Sequence, residues 1–211
     1  VIVGMPGYDN GPATDVGRVM GFHGSATGLS ITPAWTVVGA GANARFGHSV
    51  STAGDVNADG ISDVVIGAPG LAGQGGAFVF HGTLIGLQAV AAWSALGGEA
   101  GSAFGTSVAL AGDVNGDAAS DVLIGAPLHN AGGTDRGRVT CYRGLAGTGL
   151  LAAPFWTFNG TQDNAQLGTS GAGAGDLNGD GNSDVVIGEP FYDDSLTDRG
   201  RVLVFQGTGT G

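Results

Sequence analysis

The chain has 211 residues and a formal net charge of −11, because 18 acidic residues face only 7 basic ones, all of them Arg. This balance provides no basic patch for nucleic acid and is repelled by anionic membrane surfaces, so the natural small partner is a cation. No run of 18 apolar residues occurs, and we predict no membrane insertion within this segment. Cys141 is the only cysteine, which excludes an internal disulfide, and we expect it to be a small buried hydrophobe.

Glycine shapes the predicted elements. The chain contains 44 glycines, and each one inside a helix costs about 1 kcal/mol relative to alanine, so long helices are disfavoured. In chain order, short β-branched and aromatic runs stand between turn residues, beginning with "VIVGMP", "GRVMGFHG", "AWTVVGA", "FGHSVSTAG", "SDVVIGAP" and "AFVFHG". These runs predict strands. Continuous apolar runs such as "DVVIGAP" further indicate strands that are buried on both faces.

The same set of runs recurs along the chain. Landmark glycines at Gly4, Gly67, Gly125 and Gly188 are 63, 58 and 63 residues apart, and the shorter interval comes from one compact loop, "APGLAGQG". A constant framework with one variable loop is typical of a folded repeat. We place the units at 1–45 (partial), 46–103, 104–166 and 167–211 (partial).

Each complete unit supplies four strand-like runs in about 60 residues. The first follows "FG", the second is "SDVVIGAP" or its equivalent, the third is "GRVxxFxG" and the fourth surrounds a tryptophan. Four strands per repeat match a blade of a β-propeller, in which only short and protected strand edges remain. The predicted fold class is therefore all-β, with blades of four antiparallel strands. Counted over the chain, these runs amount to about 14 strands.

Three loops carry acidic residues at fixed positions. Asp or Asn occupies positions 1, 3, 5 and 9 of each loop, and position 7 would contribute a backbone carbonyl. The candidate metal ligands are Asp55, Asn57, Asp59, Ile61 and Asp63 in the first loop, Asp113, Asn115, Asp117, Ala119 and Asp121 in the second, and Asp176, Asn178, Asp180, Asn182 and Asp184 in the third. Hard cations such as Ca²⁺ take six to eight oxygen ligands of these kinds. Three bound Ca²⁺ ions would shift the charge from −11 to −5.

The acidic loops have two alternative interpretations. An EF-hand requires a bidentate Glu at position 12, where this chain has Ile66, Ile124 and Ile187 inside predicted strands. An acidic hairpin built on Asx turns, with no metal, is the second alternative. The threefold recurrence of like charges without any lysine favours the metal. Ala118 replaces the glycine found at Gly60 and Gly181, so the second loop departs most from the pattern.

The stretch "FGHSVSTAGDVNADGISDVVIGAP" resembles the FG-GAP repeat of the integrin α-subunit β-propeller and its bacterial relatives. The copy at 104–127 matches equally well, the copy at 167–190 departs at Leu167 and Glu189, and the first unit retains only its later part. The resemblance implies calcium in the loop between the first two strands of a blade. It also implies rings of six to eight blades, so we expect an excerpt of a longer chain, a processed product, or copies that complete a ring or form an array.

The resemblance implies a non-catalytic, calcium-stabilised adhesion or interaction scaffold that is extracellular or at the cell surface. Its partner, a protein or a glycan, would contact variable loops opposite the calcium loops. The alternatives are a self-assembling subunit of a surface fibre, joined through blade edges, and a lectin-like propeller. His23, His48, His81 and His129 are far apart in sequence, and no motif pairs a nucleophile with a base, so we predict no enzyme.

The "TDVGRV" and "TDRGRV" motifs place three aspartates near three arginines and predict an ion pair or a turn lock between the second and third strands. The residues are Asp15, Asp135 and Asp198 with Arg18, Arg138 and Arg201.

Two further motifs have simple interpretations. Trp35, Trp93 and Trp156 recur in register and predict a role in the core of the repeat, with a sugar-stacking platform as the alternative. Asn159 begins an "NGT" glycosylation sequon, which is relevant only in a eukaryotic secretory pathway.

Overall fold

A computed structural model describes residues 1–209, and this part of the chain is all-β, as predicted. Its only helical element is a 3-10 turn at Leu71–Gly73, within the compact loop. The strands are β1 (Ile2–Met5), β2 (Arg18–Gly21), β3 (Gly24–Ser25), β4 (Gly28–Leu29), β5 (Trp35–Val38), β6 (Ser49–Gly54), β7 (Asp63–Ala68), β8 (Gly76–Phe80), β9 (Gly82–Thr83), β10 (Gly86–Leu87), β11 (Trp93–Leu96), β12 (Ser107–Gly112), β13 (Asp121–Ala126), β14 (Arg138–Tyr142), β15 (Trp156–Asn159), β16 (Ser170–Gly175), β17 (Asp184–Glu189) and β18 (Arg201–Phe205).

Fourteen of these strands form four antiparallel sheets, which we call blades 1 to 4. Blade 1 is β1-β2-β5, blade 2 is β6-β7-β8-β11, blade 3 is β12-β13-β14-β15 and blade 4 is β16-β17-β18. The predicted order of four strands per complete unit is confirmed in blades 2 and 3. Two short hairpins, β3-β4 and β9-β10, were not predicted as separate elements. The described sheets form an open array and do not close into a ring.

The second strand of a complete blade is its most buried element. Every residue of β7 ("DVVIGA") and of β13 ("DVLIGA") is buried. Each of these strands pairs with a strand on both sides and lies between neighbouring sheets, so both faces of its apolar run are covered. The continuous apolar pattern therefore predicted both the strand and its burial correctly.

Neighbouring blades approach each other through pairs of glycines. A Cβ atom on Gly67 would lie 1.9 Å from the carbonyl oxygen of Gly105 in the next blade, and Gly125 has the same relation to Gly168 at 2.0 Å. Gly105 and Gly125, which belong to different pairs, both lie in blade 3. They are hydrogen-bonded to each other there, because the Gly105 N–H donates to the Gly125 carbonyl at 3.0 Å. Backbone can come this close to backbone only where no side chain intervenes. The landmark glycines of the repeat thus mark the contact between sheets.

Each tryptophan packs against an aromatic residue of the following blade. The ring centroids of Trp35 and Phe80 are 5.1 Å apart, and those of Trp93 and Tyr142 are 4.7 Å apart, both with edge-to-face geometry. Trp156 and Phe205 repeat this contact at 5.0 Å. The indole N–H of Trp93 donates to the Leu151 carbonyl at 3.1 Å, and that of Trp35 donates to Gln88 at 2.9 Å. The predicted role in the repeat core is confirmed for these tryptophans, and it consists of joining one blade to the next.

Truncating Trp93 is expected to destabilise the protein by about 3–5 kcal/mol, because Trp93 is only 9% exposed and the substitution leaves a cavity between blades 2 and 3. Urea unfolding followed by circular dichroism measures the change for Trp93→Ala. Leu84→Ala is the matched control, since Leu84 is 96% exposed at the tip of the β9-β10 hairpin. Equal unfolding midpoints for the two variants would contradict the assigned role of Trp93.

Candidate functional site

The three acidic loops connect the first strand of a blade to the second. They span residues 55–62 between β6 and β7, 113–120 between β12 and β13, and 176–183 between β16 and β17. The sheet register shifts by one residue where each loop begins, as between Thr52 and Gly54. Since the three blades share this connection, all three loops lie at the same end of their sheets.

The first aspartate of each loop organises the turn through backbone N–H groups. Asp55 accepts hydrogen bonds from Asp59 N at 3.0 Å and from Gly60 N at 2.7 Å. The Asn57 amide oxygen accepts a second bond from Asp59 N at 3.1 Å. The corresponding contacts recur in the second and third loops. The repeated sequence pattern therefore produces one loop conformation three times.

The aspartate at position 9 fastens the loop to the blade. Asp63, Asp121 and Asp184 are 1%, 0% and 0% exposed. Asp63 accepts the Val56 N–H at 2.9 Å and the Gly82 N–H at 2.8 Å, so it joins the loop to the second residue after the third strand. The other two copies make the same pair of bonds.

Burial changes the acidity of two of these closing aspartates. Desolvation raises the pKa of Asp63, and it raises the pKa of Asp121 to about 7, although in both cases two backbone N–H donors favour the charged carboxylate. Two exposed aspartates of the third loop have pKa values shifted in the opposite direction. Backbone N–H bonds, led by those from Gly181 and Asn182 respectively, lower the pKa of Asp176 and the pKa of Asp180. At neutral pH each of these two exposed side chains therefore carries a full negative charge.

The loop interior presents oxygens of the type that hard cations prefer. The Ile61 N–H donates to the Asp59 carboxylate at 2.9 Å, and among the described residues no N–H group donates to the Ile61 carbonyl. Asn57 Nδ2 donates to the other Asp59 oxygen at 2.9 Å. Because each carboxylate oxygen has two lone pairs, these bonds leave acceptor capacity unused. Carboxylate, amide and backbone carbonyl oxygens are the donor set of a calcium site.

The geometry is less compact than a formed metal centre. Within residues 1–209, no group of three or more acidic, histidine or cysteine side chains converges closely enough to hold a metal ion. The oxygens of positions 1, 3, 5 and 9 instead accept the backbone N–H groups described above. The structure thus places the predicted ligands of each loop in one turn without bringing them into a coordination shell, and the assignment of calcium stays a prediction.

The first and second loops are also bonded to the next blade. Ser120 N donates to the Asp55 carbonyl at 2.9 Å, and Asp55 N donates to the Ser120 hydroxyl at 3.1 Å. The Ser183 N–H makes the matching bond to the Asp113 carbonyl at 2.8 Å. Sequence reasoning missed this role of the serine at position 8. The signal was present in the sequence, because a serine precedes the closing aspartate in all three loops.

The loops at the opposite end of the sheets differ between blades, and three of the four are longer than the acidic loops. They connect the second and third strands at 6–17, 69–75, 127–137 and 190–200. Nearby arginines have partners that the sequence did not reveal. Arg138 donates to the Asn159 amide oxygen at 2.7 Å, while Arg201 binds the buried Glu189 carboxylate at 2.5 Å and lies over the Tyr192 ring. The "TDxGRV" aspartates are turn residues with positive φ rather than ion-pair partners of these arginines.

One buried histidine lies among these loops. His129 Nδ1 accepts the Ala131 N–H at 3.0 Å, so Nε2 carries the hydrogen and faces the Glu99 carboxylate, also at 3.0 Å. Burial lowers the pKa of His129, and the opposing effect of Glu99 does not overcome it. Neutral imidazole satisfies both contacts, whereas a second proton would displace the Ala131 N–H.

His129 is therefore expected to make the protein less stable in acid. The folded-state pKa of His129 lies below its ordinary value, so the unfolded chain binds the proton more tightly, and stability is lost as the pH falls from about 6.5 toward the folded pKa. Urea unfolding between pH 7.5 and 5 should show a larger loss for the wild type than for His129→Gln, which cannot titrate. Parallel pH profiles for the two proteins would contradict this assignment.

Cys141 is buried, as predicted. No helix within the described residues is both long enough and apolar enough to cross a membrane.

Comparison with known proteins agrees with the repeat architecture. The chain is 36% identical over 168 residues to integrin alpha-5 of Xenopus laevis, covering 77% of this chain and 15% of that protein. It is 40% identical over 120 residues to human integrin alpha-IIb, covering 54% and 11%, and 33% identical over 171 residues to integrin alpha-V of Gallus gallus, covering 79% and 16%. The chain thus spans less than a fifth of the length of these curated relatives.

The FG-GAP repeat family matches at residues 46–80, 104–141 and 167–205, which together make up more than half of the chain. The matches begin one residue before Gly47, Gly105 and Gly168. Each match then runs through an acidic loop and ends in the third strand of a blade. By its sequence repeats, its sheets and its relatives, this chain belongs to the FG-GAP repeat family.

Proposed function

We propose that this chain is part of a calcium-stabilised, non-catalytic scaffold for extracellular adhesion or interaction. Support comes from membership of the FG-GAP family and from the integrin alpha relatives, although the chain covers only a small part of each of them. In this proposal the sheets supply a rigid frame, the acidic loops hold calcium at one end, and the longer loops at the other end meet a partner.

The observation that carries the calcium proposal is the threefold repetition of one loop geometry. In each loop, the carboxylate at position 1 accepts N–H groups from positions 5 and 6, and the closing aspartate is buried against the blade. Nine of the 18 acidic residues are concentrated in these loops. Concentrated negative charge is costly unless a cation offsets it, and a cation bound only by the folded state adds stability. Calcium in this proposal is structural.

Calcium binding is tested by equilibrium dialysis against ⁴⁵Ca²⁺. We expect three ions per chain, and we expect two for Asp176→Asn, which alters the first ligand of the third loop. Failure of the wild-type chain to retain calcium at millimolar concentration would overturn the proposed function.

The partner surface is proposed at the longer loops because they differ most between blades. The connection between blades 3 and 4 contacts both loop 127–137 and loop 190–200, because Asp163 pairs with Arg136 at 2.6 Å and the Asp193 N–H donates to the Gln162 amide oxygen at 2.5 Å. Loops held by a rigid frame are common binding elements. The partner expected from the integrin relatives is a protein, with a glycan as the alternative.

Self-association is the second candidate function, and one observation favours it. Val202 and Val204 on the outer face of blade 4 are 66% and 54% exposed, and exposed apolar strand faces invite pairing with another chain. Sedimentation velocity in calcium separates the two candidates. A monomer of about 20.6 kDa supports the interaction scaffold, whereas concentration-dependent assembly supports the self-assembling subunit.

A further inference from the structure

The residue beside each acidic loop differs in charge between the three blades. It immediately follows the third strand and is His81 in blade 2, Arg143 in blade 3 and Gln206 in blade 4. Its position is determined by the glycine that comes next. The Gly144 N–H donates to the Asp121 carboxylate at 2.9 Å, and Gly207 makes the same bond to Asp184. The hydrogen bond that closes each loop therefore also brings this side chain alongside it.

In blade 3 this neighbour is a permanent cation. Arg143 Nε lies 3.7 Å from the Asp117 carboxylate, which occupies position 5 of the second loop. The Arg143 side chain is 39% exposed and that of Asp117 is 30% exposed, so solvent screens the pair only in part. Arg143 Nε itself is buried, and among the described residues it has no hydrogen-bond partner. Its nearest acidic partner is therefore the Asp117 carboxylate of the second loop.

The third loop offers a direct contrast, because it has the same pattern of carboxylates and, within residues 1–209, no arginine paired with it. Gln206, which occupies the Arg143 position, is neutral and exposed. Asp176, Asp180 and Asp184 repeat the positions of Asp113, Asp117 and Asp121. The two loops thus differ in net charge by one unit within a nearly constant backbone. A nearby positive charge repels a divalent cation, and it also reduces the self-repulsion of the metal-free loop.

We propose that Arg143 is a built-in counter-cation that makes the second loop bind calcium more weakly than the third, so that the third loop fills before the second. This inference rests on the proposed calcium function and adds to it an affinity-determining residue outside the ligand set. The size of the effect follows from Coulomb repulsion in a partly solvated setting, which predicts a change of about three- to tenfold in affinity. When calcium is absent, the second loop (loop 2) also remains better ordered than the third loop (loop 3), because Arg143 reduces the repulsion between the carboxylates of the second loop.

A reciprocal exchange tests the proposal. Arg143→Gln gives the second loop the neighbour of the third, and Gln206→Arg does the reverse. Calcium titrations followed by ¹⁵N–¹H NMR report each loop separately through the amides of Gly116 and Gly179. We expect Arg143→Gln to tighten binding at loop 2 by about three- to tenfold and to leave loop 3 unchanged. Gln206→Arg should weaken binding at loop 3 alone, and both effects should shrink at higher salt.

Two controls separate charge at the loop from other causes. Arg136→Gln removes an arginine that pairs with Asp163 near the opposite end of the sheets, and it should alter neither loop. Ala118→Gly removes the non-glycine residue at φ +71° in the second loop. If Ala118→Gly accounts for the whole affinity difference and Arg143→Gln changes nothing, the proposal is overturned. Metal-free spectra of each variant verify that the sheets are retained.

The outcomes distinguish this inference from the proposed function. Saturation of all three loops with no effect of Arg143→Gln would overturn the role of Arg143 and leave the calcium scaffold intact. The absence of calcium-dependent shifts in every loop would overturn both. Tighter binding at loop 2 in Arg143→Gln, together with weaker binding at loop 3 in Gln206→Arg, supports the proposal.

Discussion

Removing calcium is expected to lower the thermal unfolding midpoint by more than about 10 °C. If the proposed sites bind calcium in the range of extracellular modules, a concentration of about 100 times Kd stabilises the folded state by about 2.7 kcal/mol for each loop. Three loops would then contribute about 8 kcal/mol, and each kcal/mol corresponds to about 2–4 °C for a chain of this length. Without the ion, nine carboxylates in three short loops repel each other.

Differential scanning calorimetry in calcium, and again in excess EDTA, measures this effect. Equimolar MgCl₂ controls for ionic strength and for unspecific screening. Asp176→Asn should lose about a third of the calcium-dependent shift. Asp163→Asn removes the same charge from outside the loops, where Asp163 pairs with Arg136 at 2.6 Å, and it should keep the full shift. An unfolding midpoint that EDTA leaves unchanged would show that the loops are acidic turns without a structural metal.

Gly67→Ala is expected to destabilise the protein by at least about 3 kcal/mol. The new Cβ would lie 1.9 Å from the Gly105 carbonyl oxygen and 2.9 Å from the Gly105 carbonyl carbon, and both are backbone atoms of the next blade. A flexible side chain could rotate away from such a contact, but here two sheets must move apart. That movement would also loosen the Trp93–Tyr142 contact between the same two blades.

The repeat supplies a matched control for this substitution. Gly188 holds the same position in blade 4, yet a Cβ there would meet only the Ser170 hydroxyl at 2.4 Å, which can rotate. Gly188→Ala should therefore cost much less than Gly67→Ala in urea unfolding. If the two variants unfold at the same denaturant concentration, the close approach of the blades is not what requires glycine at this position.

The repeat made much of the fold predictable. Its constant spacing identified the strands, and the continuous apolar runs identified β7 and β13 as buried central strands. The acidic loops were located between the first and second strands for the same reason. The contact partners of individual side chains were harder to predict from the sequence. Of the two roles predicted for the "TDxGRV" motif, the turn is observed and the ion pair is not, because the arginines extend to neighbouring strands, where Arg201 meets Glu189. Such partners depend on which strands lie side by side.

Local sequence patterns determined the elements of this protein: all-β blades, three acidic loops with the same Asp and Asn positions, and tryptophans and glycines in register. These features depend on alternation, turn chemistry and spacing, which act within a few residues of the chain. Only the tertiary structure decided what those residues touch. The approach of Gly67 to Gly105, the bonds of Ser120 to the Asp55 loop and the position of Arg143 beside Asp117 all arise from separate strands or blades. The packing of sheets sets these distances, and local sequence patterns do not show which distant residues will come into contact.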